Sequence, residues 1–152
     1  MRVLPTDPAS KASSLLIAQS DRYLKSLYPP ESQHLESVAA LQLPNVTFFG
    51  GYFENKLVAC GAVKVLEDDC CYGEIKRVFV IEQWRGRGFS KHIMASLEQH
   101  LKVLSIRLVR LETGIKQPEA LALYASLGYK VREPFGNYRY DPLSIFMEKI
   151  LK

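Results

Sequence analysis

The sequence predicts an α+β fold in which helices cover the faces of a mixed β-sheet. Three alternating or apolar segments between residues 46 and 81 are typical of an antiparallel meander. Apolar stripes at helical spacing precede and follow those segments. The order strand, loop, helix, strand in the middle of the chain requires a right-handed parallel crossover. Because 152 residues are enough to bury one core, we expect a single domain over residues 1–152.

Two helices are predicted before the strands. Apolar residues recur at helical spacing after Pro8, namely Leu15, Leu16, Tyr23, Leu24 and Leu27. The adjacent prolines at positions 29 and 30 cannot continue a helix, so they end the first one. A second, short helix is predicted over residues 34–43, before Pro44.

Three strands follow at residues 46–53, 57–66 and 70–81, with turns at residues 54–56 and 68–69. The third strand is almost continuously apolar at residues 78–81, which predicts that both of its faces are buried there. Alternation along this strand also predicts that Glu74 shares one face with Lys76, Val78 and Val80.

The second half of the chain predicts two helices and three strands. The first helix carries a single apolar stripe at Phe89, Ile93, Leu97, Leu101 and Leu104. A strand is predicted over residues 105–112, and the next helix opens at Pro118, where proline is permitted. That helix ends at Gly128. The last two strands are predicted over residues 129–133 and 143–151.

Composition and charge exclude several classes of protein. The chain is 47% hydrophobic and 24% charged, without an apolar run that could cross a membrane or a secretory signal, so we expect a cytoplasmic protein. The net charge of +4 and the pI of 9.0 slightly favour anionic partners. Cys60, Cys70 and Cys71 are odd in number and lack the spacing of metal ligands, which predicts neither disulfides nor a metal site.

The loop between the third strand and the following helix reads Arg-Gly-Arg-Gly at residues 85–88. The first N–H groups of a helix lack intrahelical partners and carry partial positive charge, so a helix start can bind an anion. Gly86 and Gly88 allow a ligand to approach the backbone closely, while Arg85 and Arg87 add positive charge. We therefore expect this loop to bind a pyrophosphate. Neither the P-loop motif nor the dinucleotide fingerprint is present.

This loop resembles the acyl-CoA loop of the GNAT superfamily of N-acetyltransferases. The family pattern places Gln or Arg first, Gly fourth, and Gly or Ala sixth. Arg85, Gly88 and Ser90 occupy those positions here, with Ser90 as a departure from the pattern. A register that begins two residues earlier, at Gln83, also satisfies the pattern.

A second motif extends the resemblance along the chain. The later helix of the family carries Asn, Ala, Tyr and Gly at fixed spacings, where this sequence has Gln117, Ala120, Tyr124 and Gly128. The segments YPPES, GEIKR and DPLSIFMEK are similar to a bacterial subgroup whose acceptor is unassigned. The resemblance implies a mostly antiparallel sheet of six to seven strands with about four helices. It also implies a splay between the strand that ends near Ile81 and the strand over residues 105–112.

The resemblance implies that the protein binds acetyl-CoA, a derivative of coenzyme A. In the family, the strand beside the splay pairs with the pantetheine arm, and the glycine loop holds the pyrophosphate. The implied cofactor-binding residues are Val78, Phe79, Val80, Arg85, Gly86, Arg87, Gly88, Phe89, Ser90, Lys91, Gln117 and Tyr124.

The implied activity is direct N-acetyl transfer, within a ternary complex, to a primary amine of a small molecule or peptide. The amine must first lose a proton, because an alkylammonium has a pKa of about 10.4. Glu74 is the predicted base, and an ion pair with Lys76 or Arg77 is the alternative explanation of its position. Tyr124 is the predicted acid for the departing thiolate, and a purely structural place in the core is the alternative. A backbone N–H near Val80 would stabilise the oxyanion.

The resemblance also implies an acceptor pocket between the first two helices, the last strands and the open sheet face. The implied substrate-binding residues are Tyr28, His34, Lys76, Arg77, Asn137 and Tyr138. The three cationic or titratable groups among them, His34, Lys76 and Arg77, suggest an acceptor that bears a carboxylate. Small amines, amino acids, polyamines, antibiotics and protein N-termini all remain compatible with the motifs.

A non-catalytic acyl-CoA sensor or interaction module of the same fold is the main alternative function. Such a module would keep the glycine loop but would not require Tyr124 or Glu74. No recognised motif supports nucleic-acid binding through the arginines, and no membrane partner is expected. Related folds often dimerise through their C-terminal strands, so a homodimer is possible.

Overall fold

The structure of the protein, a computed structural model that describes residues 1–152, contains one seven-stranded sheet and four α-helices. The strands are β1 (Arg2–Pro5), β2 (Val46–Phe53), β3 (Lys56–Glu67), β4 (Cys71–Val80), β5 (Leu108–Gly114), β6 (Lys130–Arg132) and β7 (Ser144–Ile150). The helices are α1 (Lys11–Leu27), α2 (Val38–Leu41), α3 (Phe89–Val103) and α4 (Pro118–Ser126). The strand order is β1-β2-β3-β4-β5-β7-β6, and only β4 and β5 pair in parallel. This architecture confirms the predicted mixed α+β sheet.

The antiparallel half of the sheet follows the predicted meander. Glu54 and Asn55 have φ angles of 50° and 63°, which form a tight hairpin turn between β2 and β3. β1 is an addition to the predicted elements, and it pairs with β2 at the edge of the sheet. Its four residues are too few to display an alternating pattern in the sequence.

One face of the sheet is covered by α3, which packs into the main hydrophobic core. Ile93, Leu97 and Leu101 are fully buried there. Glycines in the facing strands make room for them, since a Cβ at Gly73 would lie 2.5 Å from the Leu101 side chain. Leu104, predicted to extend the same stripe, is 47% exposed because it caps the C-terminus of α3.

The opposite face is covered by α1 and α2. The hydroxyl of the N-cap residue Ser10 accepts a hydrogen bond from the backbone of the first turn, so α1 begins at Lys11. Leu16 and Ile17 are buried against the sheet, but Leu15 is 59% exposed, so the predicted stripe is wrong at that position. Of the second predicted helix, only the four residues of α2 are α-helical.

The two parallel strands separate part-way along their length. Their register runs from Gly73 opposite Val109 to Ile75 opposite Leu111, whereas β4 continues to Val80. Beyond Ile75, β4 therefore pairs only with β3. This gap between β4 and β5 is the predicted splay.

A β-bulge interrupts β4 beside the gap. Arg77 has a φ of 59°, and the register with β3 shifts at the same place. The extra residue reverses the alternation, so Val78 and Val80 pack into the core around α3, while Glu74 and Lys76 face the other side. The prediction that Glu74 shares a face with Val78 and Val80 is therefore wrong.

The end of β4 is also less buried than its apolar sequence predicts. Val80 is buried, with 5% of its surface exposed. Val78, Phe79 and Ile81 are only partly buried, because the gap leaves the β5 side of this segment uncovered.

The C-terminal elements extend the sheet beyond β5. The helix α4 ends as predicted, with Gly128 at a φ of 95° and the Tyr129 N–H donating to the Tyr124 carbonyl at 3.0 Å. β7 pairs with the full length of β5, and the three-residue β6 forms the edge. No helix in the structure combines the length and the apolar character that crossing a bilayer requires.

Tyr28 fastens the end of α1 to the segment between β5 and α4. Its hydroxyl donates to Gln117 Oε1 at 3.2 Å and accepts the Lys116 N–H at 3.1 Å. A Cβ at Gly114 would lie 1.8 Å from the Tyr28 hydroxyl oxygen, so this close approach requires glycine. The contact fixes the position of α1 relative to the open end of the sheet.

Gly114→Ala is therefore expected to overpack this contact and to lower the free energy of unfolding by about 1–3 kcal/mol. Denaturant unfolding measures the change. In a Tyr28→Ala background the added methyl group meets no phenol, so the same substitution should cost much less. An equal cost in both backgrounds would contradict the contact.

Candidate active site

A cavity of about 110 Å³ opens where β4 and β5 separate. Its walls come from the end of α1, the connection that follows it, both strands and the start of α4. Ten predicted site residues line it: Tyr28, His34, Glu74, Lys76, Arg77, Val78, Phe79, Gln117, Tyr124 and Tyr138. The gap in the sheet thus brings together residues that are far apart in the sequence.

The remaining predicted residues lie outside this cavity. Val80 belongs to the main core, and residues 85–91 form the loop before α3 and its first turn. Asn137 is exposed at the mouth of a second cavity of about 380 Å³. The two cavities share several lining residues, including His34 and Tyr138, so they are neighbours.

Tyr124 reaches the cavity from α4, on the same sheet face as α3. Its ring packs edge-on against Tyr129 within the core, and only 7% of the residue is exposed. Burial, with a smaller contribution from the negative charge of Glu112, raises the pKa of Tyr124 to about 12. The phenol is therefore neutral at pH 7 and able to donate a proton. The Tyr124 side chain therefore both packs in the main core and lines the cavity.

Glu74 lies at the centre of a hydrogen-bonded cluster. Its Oε2 accepts the Tyr138 hydroxyl at 2.5 Å and lies 3.4 Å from Lys76 Nζ. Lys76 also donates to Tyr138 Oη at 2.8 Å and lies 3.1 Å from Glu36 Oε1. Burial and the charge of Glu74 raise the pKa of Tyr138. The ion pair with Lys76 that was an alternative for Glu74 is thus present, in the wall of the cavity.

A second carboxylate, Glu112, lines the cavity from β5, and sequence reasoning missed it. It accepts a hydrogen bond from Ser144 Oγ at 2.8 Å. Burial raises the pKa of Glu112, while Ser144, His34 and Lys76 oppose that shift. The alternation of side chains along β5 could have identified Glu112 from the sequence. Leu111 is a core residue, so its neighbour Glu112 must face the other side of the sheet.

Arg77 is held in the β-bulge with 3% of its side chain exposed. Its Nη1 lies 2.7 Å from Asp21 Oδ1, but the N–H groups do not point along that line, so the contact is an ion pair without a directed hydrogen bond. Arg77 Nε and Nη1 and His34 Nε2 are buried and lack hydrogen-bond partners. Sequence reasoning identified Arg77 and His34 but not Asp21, which lies in the interior of α1.

The loop before α3 has the shape that an anion site requires. Gly86 and Gly88 have φ angles of 79° and 78°, and a Cβ on either would meet nothing within 4 Å. Gly88 is the N-cap of α3 and offers no side-chain acceptor to the first turn. The first N–H groups of α3 are therefore free to bind an acceptor from outside the chain.

The two arginines of this loop are stacked on aromatic rings. Arg85 Nε donates to the Val80 carbonyl at 2.9 Å, and its guanidinium lies 5.1 Å from the ring centre of Tyr23. Arg87 lies 4.7 Å from the ring centre of Trp84. These contacts hold positive charge near the start of α3, but Arg85 also serves to cap the end of β4.

Comparison with known proteins identifies relatives along the whole chain. Residues 16–129 match the family described as the acetyltransferase (GNAT) family. An IAA acetyltransferase from Azospirillum brasilense is 38% identical over 144 residues, which cover 95% of this chain and 94% of that protein.

Solved structures are similar as well. A candidate acyl-CoA N-acyltransferase from Klebsiella pneumoniae has a TM-score of 0.84 and 33% identity, over 99% of this chain and 97% of that one. The PaiA N-acetyltransferase from Thermoplasma acidophilum, solved in complex with coenzyme A, shares the fold with a TM-score of 0.74 at 17% identity, over 99% of each chain. From the family match and these relatives, the chain belongs to the GNAT family of acetyltransferases.

Proposed function

We propose that the protein transfers the acetyl group of acetyl-CoA directly to a primary amine of a small molecule or peptide. The observation that carries this proposal is a juxtaposition at one end of β4. The uncapped, glycine-lined start of α3 and the cavity that holds Tyr124, Glu74 and Glu112 both adjoin that end. An anion site and a set of proton-transfer groups are the two parts that acetyl transfer from a phosphorylated thioester requires.

The described residues fit coenzyme A. The free N–H groups of residues 89–91 and the open space over Gly86 and Gly88 suit the pyrophosphate. The β5 side of residues 78–80 has no sheet partner, so its backbone groups, other than the Val80 carbonyl that accepts from Arg85, can pair with the amides of the pantetheine arm. Gln117 and Tyr124 line the cavity at the far side of the gap. When bound there, acetyl-CoA supplies an activated thioester carbonyl.

The proposed step forms the N–C bond of the product amide and breaks the C–S bond of the thioester. Glu74, directly or through water, accepts the proton that the amine loses. A backbone N–H near Val80 donates to the carbonyl oxygen as negative charge develops on it. Tyr124 donates its proton to the departing sulfur, because a phenol with a pKa of about 12 is protonated at neutral pH. Solvent then returns the proton from the carboxyl group to the phenolate.

Direct transfer is favoured over a cysteine intermediate. Cys60 is 1% exposed, its thiol donates to the Arg77 carbonyl at 3.2 Å, and burial raises its pKa to about 12. The thiolate needed for attack is therefore scarce at neutral pH. Cys70 lies in the turn between β3 and β4, Cys71 is the first residue of β4, and neither lines the cavity.

Thiol release from acetyl-CoA in the presence of a broad amine library tests the proposed activity. Release that depends on an added amine, with the acetylated amine identified by mass spectrometry, supports it. Absence of amine-dependent release across the library, by protein that binds acetyl-CoA in calorimetry, contradicts it and favours a non-catalytic acyl-CoA module.

Tyr124→Phe is expected to lower kcat by about 10²–10⁴-fold, because the departing sulfur loses its proton donor. Binding of acetyl-CoA, measured by calorimetry, should be nearly unchanged because the ring remains in place. Tyr140→Phe is the matched control, since Tyr140 is 81% exposed and lies outside the cavity. An unaltered kcat in Tyr124→Phe rules this role out.

Glu74→Gln is expected to lower kcat/KM by about 10²–10⁴-fold and to remove the acidic limb of the pH–rate profile. Glu112→Gln is the comparison, since it removes the other carboxylate of the cavity at constant volume. If that variant loses the limb and Glu74→Gln keeps it, Glu112 is the base instead.

A further inference from the structure

The buried side-chain atoms that lack hydrogen bonds all belong to residues that line the candidate active-site cavity or contact a lining residue. There are four in the whole chain: Nε and Nη1 of Arg77, Nε2 of His34 and Oδ1 of Asp21. Arg77 Nη1 and Asp21 Oδ1 are paired as ions at 2.7 Å, so the atoms without any polar partner are Arg77 Nε and His34 Nε2. Arg77 and His34 both line the candidate active-site cavity, and Asp21 contacts Arg77. Buried polar groups in folded proteins nearly always have partners, so Arg77 Nε and His34 Nε2, which have none, point to a ligand in the cavity.

The chemistry of Arg77 limits what that ligand can be. A guanidinium has five N–H donors, no acceptor, and a permanent positive charge. With 3% of its side chain exposed, water satisfies little of that capacity. The missing partner must therefore present hydrogen-bond acceptors and negative charge. A carboxylate meets both requirements, because its two oxygens match the planar fork of the guanidinium.

The ion pair between Arg77 and Asp21 leaves part of the hydrogen-bonding capacity of Arg77 unused. Asp21 approaches one nitrogen of Arg77 without a directed hydrogen bond, and its side chain is 32% exposed, so solvent shares its charge. Asp21 balances the charge of the guanidinium in the free protein. It leaves Nε and the remaining N–H groups available for a second carboxylate.

Lys76 does not share this role, contrary to the sequence-based expectation. Its ammonium group lies within 3.4 Å of Glu36 and Glu74 and donates to Tyr138 at 2.8 Å. An ammonium has three donors, and all three have partners here. Of the three groups expected to recognise a carboxylate, only Arg77 and His34 have free donors or nitrogens.

We propose that the acetyl acceptor is an amine that also carries a carboxylate, and that Arg77, assisted by His34, binds the carboxylate. The inference rests on the proposed function and names its substrate class. The cavity has charged groups for both ends of such a molecule. Glu74 and Glu112 can bind the ammonium, and Arg77 can bind the carboxylate. The lining of the same cavity includes the aromatic rings of Tyr23 and Phe79, and such rings strengthen a charge pair by excluding water.

Matched acceptors test the substrate class. Thiol release is measured with alanine against alaninamide, with phenylalanine against phenylalaninamide, and with 2-aminoethyl phosphate. We expect kcat/KM to be at least tenfold higher for the better amino acid than for its amide, although the amide has the more easily deprotonated amine. Equal rates for acid and amide overturn the inference, and so does a preference for the phosphate compound.

Variants at Arg77 and Asp21 test the binding group itself. Arg77→Gln should raise KM for the amino acid more than tenfold and leave KM for its amide unchanged, while Arg22→Gln, an exposed change on α1, should alter neither. Should Arg77→Gln fail to fold, Asp21→Asn is decisive, because removing the negative charge beside Arg77 should strengthen its attraction for a second carboxylate and lower KM for the amino acid alone. An unchanged acid-to-amide ratio in Asp21→Asn overturns the assignment.

A binding measurement separates this inference from the proposed activity. Phenylalanine, but not phenylalaninamide, should raise the Tm of the wild-type protein without acetyl-CoA, and Arg77→Gln or Asp21→Asn should change that rise. If the rise occurs and no amine is acetylated, the carboxylate site stands and the transferase proposal fails. If amines are acetylated with neither an acid preference nor a Tm rise, the transferase proposal stands and the carboxylate site is wrong.

Discussion

The separation of β4 from β5 is the constraint on which the rest of the structure depends. Pairing between them ends at Ile75 and Leu111, and β4 then continues for five residues with a neighbour on one side only. An unpaired strand edge inside a sheet leaves polar backbone groups without partners. In this chain those groups border a cavity that elements from both faces of the sheet help to line. We therefore propose this gap in the sheet as the binding site.

The β-bulge at Arg77 determines which side chains enter that gap. A positive φ in an arginine is uncommon and persists only where surrounding contacts enforce it. Because the bulge reverses the alternation, Val78 packs against the main core while the Arg77 side chain is buried beside the cavity. This single bulge therefore separates the apolar side chains of β4 that pack in the core from Arg77, which we propose binds the acceptor.

Local patterns in the sequence were sufficient for most elements and for part of the site. The stripe of α3, the hairpin turn and the glycines at 86 and 88 each express a short-range rule, and the structure bears them out. Features that depend on long-range geometry were missed. The bulge has no glycine that would indicate it, the four-residue β1 shows no period, and Asp21 becomes relevant only because α1 packs beside Arg77 of β4. Glu112 differs, because alternation along β5 was a local signal for the direction in which it faces.

Hydrogen–deuterium exchange with and without acetyl-CoA tests the central claim most directly. If the gap and the start of α3 hold the coenzyme, peptides that cover residues 76–81 and 85–91 should exchange more slowly at saturating acetyl-CoA, while β1 and β2 stay unchanged. Protection confined to other segments, or no protection at a concentration that saturates binding in calorimetry, would contradict the account.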